Sequence, residues 1–130
     1  MMNCVLFADR HHELSEGVRD LLATMFAGVF TVAEEGSLLE GAARIQPTLV
    51  VADLSLAGGD IAGFVAALRR QAPATKVLLL TVHDEATVTS AALAAGADGV
   101  ILTRAVATDL LDAAEAVLAG RRYTSSVVPR

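Results

Sequence analysis

The sequence predicts an α/β fold in which five strand–helix pairs alternate and their strands form one parallel sheet. Three observations carry this. Short apolar runs recur at Cys4–Ala8, Val29–Ala33, Leu49–Ala52, Val77–Leu80 and Val100–Leu102. The third and fourth lack polar alternation, which suits strands covered on both faces. Helical patterns fill the intervals, so the order is (βα) five times, with helices on both faces of the sheet.

Taken in order, the first strand is Cys4–Ala8, and its single cysteine reads as a packing residue. Leu14, Val18, Leu21, Leu22 and Met25 then fall on one stripe of a first helix. Pro47 and Pro73 stand before the third and fourth strands, where a missing N–H does little harm. Asp84 and Glu85 place acid at the start of a helix over Glu85–Ala95, with Gly96 able to take the left-handed position after it. Thr108 is a candidate N-cap for Asp109–Ala119, and Gly120 follows that helix.

The 130 residues suit one domain, read as 1–120, with a tail over 121–130. A single cysteine excludes an internal disulfide and a cysteine-based zinc site. The residues are 54% hydrophobic but only 4% aromatic, which fits thin strands between helices better than a base-stacking surface. A net charge of −5 argues against a nucleic-acid grip by this domain alone; only Arg121, Arg122 and Arg130 make a locally basic end. No apolar run approaches the roughly 20 residues that cross a bilayer, and Asp9 and Arg10 come too early for a signal peptide. A cytoplasmic location is the expectation, with no membrane partner.

In open α/β sheets, ligands bind beyond the carboxyl ends of the strands. Asp9 and Arg10, Asp53, Thr81, and Thr103 and Arg104 occupy those ends. Two acids, a hydroxyl and a base from separated segments are therefore expected to converge.

The stretches VLFADRHHELSEGVRDLL (5–22), PTLVVADLSLAGGD (47–60), KVLLLTVHDE (76–85) and GADGVILTRA (96–105) resemble response-regulator receiver domains. The likeness is to the branch that precedes NarL/FixJ-type DNA-binding domains, and it covers nearly the whole chain. It implies a flavodoxin-like (βα)5 three-layer sandwich with a five-stranded sheet in the order 2-1-3-4-5. It also implies that Asp53 matches the aspartate that takes a phosphoryl group from a sensor histidine kinase. Thr81 matches the hydroxyl that bonds that group and moves with it, and Asp9 matches the first of an acidic pair that holds Mg2+. Phosphoryl transfer needs an in-line oxygen nucleophile and neutralised equatorial oxygens, so this residue set is coherent.

Two positions depart from the pattern. Arg10 stands where the second acid belongs, and Thr103 replaces the lysine after the fifth strand. Mg2+ wants hard oxygens in near-ideal octahedral geometry. A guanidinium offers none, and repels the ion by about 4 kcal/mol per unit charge at ~4 Å and an effective dielectric of 20. Weak Mg2+ binding at Asp9 and Asp53 is expected, with Arg10 a candidate planar donor that locks Asp53. Arg104 reaches the site only if the chain turns after the fifth strand. Val100 occupies a position where many relatives carry an aromatic ring that rotates inward on activation, so the same movement is not expected.

Each residue also has a plainer reading. Asp53 could simply cap the loop after its strand, Asp9 could pair with Arg10 or Arg104, and Thr81 suits a strand end. His11, His12 and His83 read as surface histidines rather than ligands, the first two being adjacent and without cysteine support. Gly58-Gly59-Asp60 reads as the loop into the third helix, since a Walker lysine is missing and Ala57 stands where the family usually has proline.

A small flavodoxin-like enzyme or nucleotide-binding domain is the competing class. An aspartyl phosphatase would want an acid at Ser55, and a dinucleotide binder would want a glycine-rich turn where Arg10-His11-His12 stands. Signalling is the better reading, through a receiver with weak or no Mg2+-dependent phosphorylation and output by homodimerisation or a partner. The tail is similar to the start of a linker to a helix-turn-helix domain, through which DNA would be bound if the natural protein continues.

Overall fold

The computed structural model describes residues 3–10, 12–83 and 85–125, with residues 12–14 as backbone. The strands are β1 (Cys4–Ala8), β2 (Gly28–Val32), β3 (Leu49–Asp53), β4 (Lys76–Thr81), β5 (Gly99–Leu102) and β6 (Tyr123–Thr124). The helices are α1 (His12–Ala23), α2 (Glu35–Ile45), α3 (Ile61–Gln71), α4 (Ala86–Ala95) and α5 (Val106–Leu118). All pairings are parallel, in the order β2-β1-β3-β4-β5-β6. The five expected strands thus take the expected order, and a sixth joins the β5 edge from the segment read as tail.

The period-2 alternation of strand side chains divides the core in two. Leu6, Ala8, Val50, Ala52, Val77 and Leu79 pack with Leu38 of α2, Phe64 and Leu68 of α3 and Ala92 of α4. Val5, Phe7, Leu49, Val51, Leu78 and Leu80 pack instead with Val18 and Leu22 of α1 and Leu110 and Val117 of α5. The uninterrupted apolar runs of β3 and β4 are therefore covered on both faces. The α1 stripe behaves as expected at Val18, Leu21, Leu22 and Met25, whereas Leu14 lies outside the described side chains. Cys4 is half-buried at the start of β1.

Some ends differ from the expectation. The fifth helix begins at Val106, fed by a 3-10 turn over Thr103–Ala105, so Thr108 lies inside its first turn and donates its hydroxyl to Ala105 O at 3.0 Å. Glu85 occupies the N-cap position of α4 but makes no side-chain cap, and Asp84 lies outside the described residues. Gly96 does end α4 in the left-handed region, at φ 115°.

At the amino-terminal ends of the strands, Arg69 of α3 donates to Gly96 O (3.2 and 2.6 Å), to Thr75 O (2.6 Å) and to the Asp98 carboxylate (2.6 Å). Asp98 Oδ2 also accepts from Val77 N at 2.8 Å. One guanidinium and one carboxylate thereby tie α3, β4 and the α4–β5 turn together.

β6 is held to β5 by Tyr123 N to Asp98 O (3.3 Å), Ser125 N to Val100 O (3.1 Å) and Leu102 N to Ser125 Oγ (2.8 Å). It needs glycine at 99. A Cβ there would meet Leu78 Cδ1 at 2.9 Å, Tyr123 O at 3.0 Å and Val117 Cγ1 at 3.1 Å. Gly99→Ala is expected to cost about 1–3 kcal/mol of stability by overpacking. Amide exchange should show the loss first at Tyr123–Ser125; protection unchanged there would refute the steric account.

Beside β6 lies Asp109, only 9% exposed, whose buried Oδ2 has no hydrogen-bond partner among the described residues. Burial pushes the Tyr123 phenol above its ordinary pKa of 10.0, and the Asp109 and Asp112 carboxylates push it further. The unfolded chain therefore loses this proton first. The linked stability is whole below about pH 10 and falls as pH rises through the folded-state value. Tyr123→Phe should flatten that alkaline decline in urea titrations run across about pH 8 to 11. An unchanged slope would remove Tyr123 from the account.

Candidate functional site

The registers bring the carboxyl ends of β1, β3, β4 and β5 side by side, with Ala8 opposite Ala52, Asp53 opposite Leu80 and Thr81 opposite Leu102. Asp9 follows β1, Asp53 ends β3, Thr81 ends β4 and Thr103 follows β5. All four line one cavity of about 470 Å³. The acids and hydroxyls expected from the strand ends thus share this cavity, whereas neither Arg10 nor Arg104, the bases expected with them, lines it.

Asp53 is half-buried, and its Oδ1 accepts from Ser55 N at 3.0 Å, capping the 3-10 turn Leu54–Ala57. The loop-capping role and the cavity position coexist in this one side chain. Thr81 is 2% exposed, and its hydroxyl oxygen accepts from His83 N at 3.0 Å. A hydroxyl still carries its own O–H donor after accepting one bond. Asp9 is 7% exposed and faces Ser15, whose hydroxyl donates to Oδ2 at 3.5 Å. Asp9 also lines a second cavity of about 520 Å³ with Ser15, Glu16, Arg19 and Thr31.

The remaining expectations resolve differently. Arg10, expected as a planar donor to Asp53, is exposed and does not line the cavity. The chain does turn after β5, yet Arg104 is exposed and does not line the cavity. His83 lies at the cavity wall, exposed, with Nδ1 3.6 Å from Glu85 Oε1. The His11 and His12 side chains lie outside the described residues. Among the described residues no group of three or more His, Cys, Asp or Glu side chains is placed to hold a metal ion. Gly58 and Gly59 take φ 61° and 91°, and Asp60 caps α3 through Gly63 N at 2.9 Å, so this segment serves as the loop into the third helix. Val100 is buried against the α4 side of the sheet.

Sequence reasoning missed the apolar half of the cavity. Leu54, Ile61, Leu80, Val82 and Val88 line it, from four separated segments that share no period. Val82, immediately after the β4 strand end, is 70% exposed.

The model of the response regulator receiver domain matches residues 5–115. The chain belongs to this receiver family. Like other receivers it has relatives among transcriptional regulators. It is similar to the nitrate/nitrite response regulator protein NarP of Escherichia coli K12, at 32% identity over 95% of this chain and 59% of that protein. It is also similar to the transcriptional regulatory protein RcsB of the same strain, at 26% identity over 97% of this chain and 61% of that protein. The chain thus spans about three fifths of the length of the curated relatives it matches. A crystal structure of a LuxR-family two-component response regulator from Aurantimonas sp. SI85-9A1 superposes with a TM-score of 0.85. That match has 27% identity and covers 97% of this chain and 91% of the other. The signal receiver domain of NarL from Mycobacterium tuberculosis gives a TM-score of 0.80 at 28% identity, covering 92% and 98%.

Receivers generally hold Mg2+ at an acidic pair. Two carboxylates, Asp9 and Asp53, face the cavity, and the residue after Asp9 is a guanidinium that offers no oxygen. No helix among the described residues is long and apolar enough to cross a membrane.

Proposed function

We propose that this is a degenerate receiver, with weak or no Mg2+-dependent phosphorylation at Asp53. The observation that carries the reading is the cavity wall itself. Thr103 stands there where a cation would neutralise a phosphoryl oxygen, and Arg10 removes the second metal-binding acid. Asp9, Asp53 and Thr81 keep the metal, acceptor and hydroxyl positions of the family. Signalling then proceeds through homodimerisation or a protein partner in the cytoplasm, with no catalytic turnover of its own. Control of transcription follows if the natural protein continues past residues 121–130 into a helix-turn-helix domain, which alone would contact DNA.

A second reading is supported by the convergence of Asp9, Asp53 and Thr81. In it the receiver accepts a phosphoryl group from a sensor histidine kinase in the ordinary way. NMR shift mapping with Mg2+ and beryllofluoride separates the two. The degenerate reading expects no saturable shifts at Asp53 and Thr81, and Mg2+-dependent saturable shifts there would establish the second reading instead.

A further inference from the structure

β2 ends the sheet on the side away from β6, and among the described residues β1 is the one strand it pairs with. Its backbone groups divide between two sides. Gly28 N donates to Asn3 O and Asp9 N donates to Val32 O, so Gly28 and Val32 face β1. The ladder alternates, so Phe30 faces β1 as well, while Val29 and Thr31 turn their N–H and C=O groups outward. Edge strands are commonly blunted by charge, proline or a bulge. Gly28–Val32 carries neither charge nor proline, and its register with β1 is unbroken. Phe30, at its centre, is 45% exposed. We propose that β2 pairs antiparallel with β2 of a second copy of this chain, about a two-fold axis through Phe30. The inference rests on the homodimer reading above and names the face that dimer uses.

A second copy suits this edge because the strand is complementary to itself. With the axis at Phe30, Val29 of one copy falls opposite Thr31 of the other. These are the residues whose backbone groups point outward, and each such pair exchanges both of its hydrogen bonds. Phe30 then meets Phe30 in the closer, non-hydrogen-bonded position, at about 4.5 Å between Cα atoms. Each ring leans over its own Gly28, where an added Cβ would lie 3.3 Å from Phe30 Cε2. Gly28 falls opposite Val32 of the other copy. The two rings therefore lie on opposite sides of the axis, each covering a valine rather than colliding.

Charge agrees with this placement. Leu6 is paired with Phe30, and a Cβ at Gly41 would lie 3.2 Å from Leu6 Cδ2, so α2 passes the level of the axis near Gly41. Glu40 and Arg44, both exposed, stand before and after that level. The two-fold reverses α2, which brings Glu40 of each copy towards Arg44 of the other, opposite signs in both places. Such a pair also closes, since each copy has one β2 edge to give.

The test is sedimentation equilibrium of the full chain, with amide exchange read at about 20 μM and about 1 mM. A Kd on the order of 100 μM is expected, because a five-residue edge makes a contact at the small end of interface sizes. The Val29 and Thr31 amides should gain about threefold protection or more at the higher concentration, while Phe30 and Val32 keep theirs. Phe30→Lys sets like charges together at the axis and should weaken the dimer about tenfold or more. Thr31→Pro removes an outward N–H from each copy, leaves the β1 ladder whole and should weaken it similarly. Glu40→Arg should weaken it about threefold, and adding Arg44→Glu should restore it. A dimer that Phe30→Lys and Thr31→Pro leave unchanged overturns this inference while the homodimer reading stands. A chain that stays monomeric at about 1 mM overturns both.

Discussion

Asp98→Ala is expected to lower the stability of the domain by about 2–3 kcal/mol, the range for losing hydrogen bonds to charged groups. The carboxylate has two partners, Arg69 at 2.6 Å and Val77 N at 2.8 Å. Both the ion pair and a backbone donor of β4 are left unanswered when it is removed. Surface ion pairs seldom contribute this much. This one is different because both side chains are mostly buried, at 28% and 24% exposed, and Arg69 also holds two carbonyls. At roughly 3 °C per kcal/mol, the midpoint of thermal unfolding should fall by about 6–9 °C. Asp98→Asn keeps an acceptor for Val77 N and should cost about half as much. Arg69→Met combined with Asp98→Ala should cost clearly less than the sum of the single changes, because the two act through one contact. Additive losses in urea unfolding would show that the pair does not act as a unit.

Arg10→Asp should raise Mg2+ affinity by on the order of 100-fold or more. The exchange reverses one unit charge beside a divalent ion, a swing of four unit-charge interactions at about 1 kcal/mol each for ~4 Å in water. It also supplies a third hard oxygen. Because Arg10 is exposed, the change should leave folding nearly untouched. Adding Thr103→Lys puts a cation at the cavity wall, and the double variant should then take up beryllofluoride with Mg2+. Calorimetric titration measures the first step and NMR shifts at Asp53 and Thr81 the second. If the double variant still ignores the ion, charge at these two positions is not what disables the site.

The strands were legible because burial on both faces leaves an unmistakable trace, as in Leu49–Ala52 with no polar residue. The positions of Asp9, Asp53, Thr81 and Thr103 followed from the strand ends alone. Arg10 was harder. Its adjacency to Asp9 suggested an ion lock in the cavity, but it comes after the last residue of β1 and is exposed. Thr108 looked like an N-cap because hydroxyls favour that place, yet the 3-10 turn at Thr103 had already started the helical path. β6 was invisible for a simpler reason. Two residues carry no periodicity, and their strand state exists only because β5 offers a ladder.

That short strand has a bearing on how the molecule keeps to itself. Without it, β5 would end the sheet as an edge of four buried apolar residues with open backbone donors and acceptors. Such an edge is a template on which another chain can add and aggregate. β6 occupies those groups and replaces the edge with one only two residues long, with Thr124 exposed. Gly99, by making room for the docking, acts as a guard against self-assembly. A variant that loses β6 should therefore fail through precipitation on concentration well before its fold is lost.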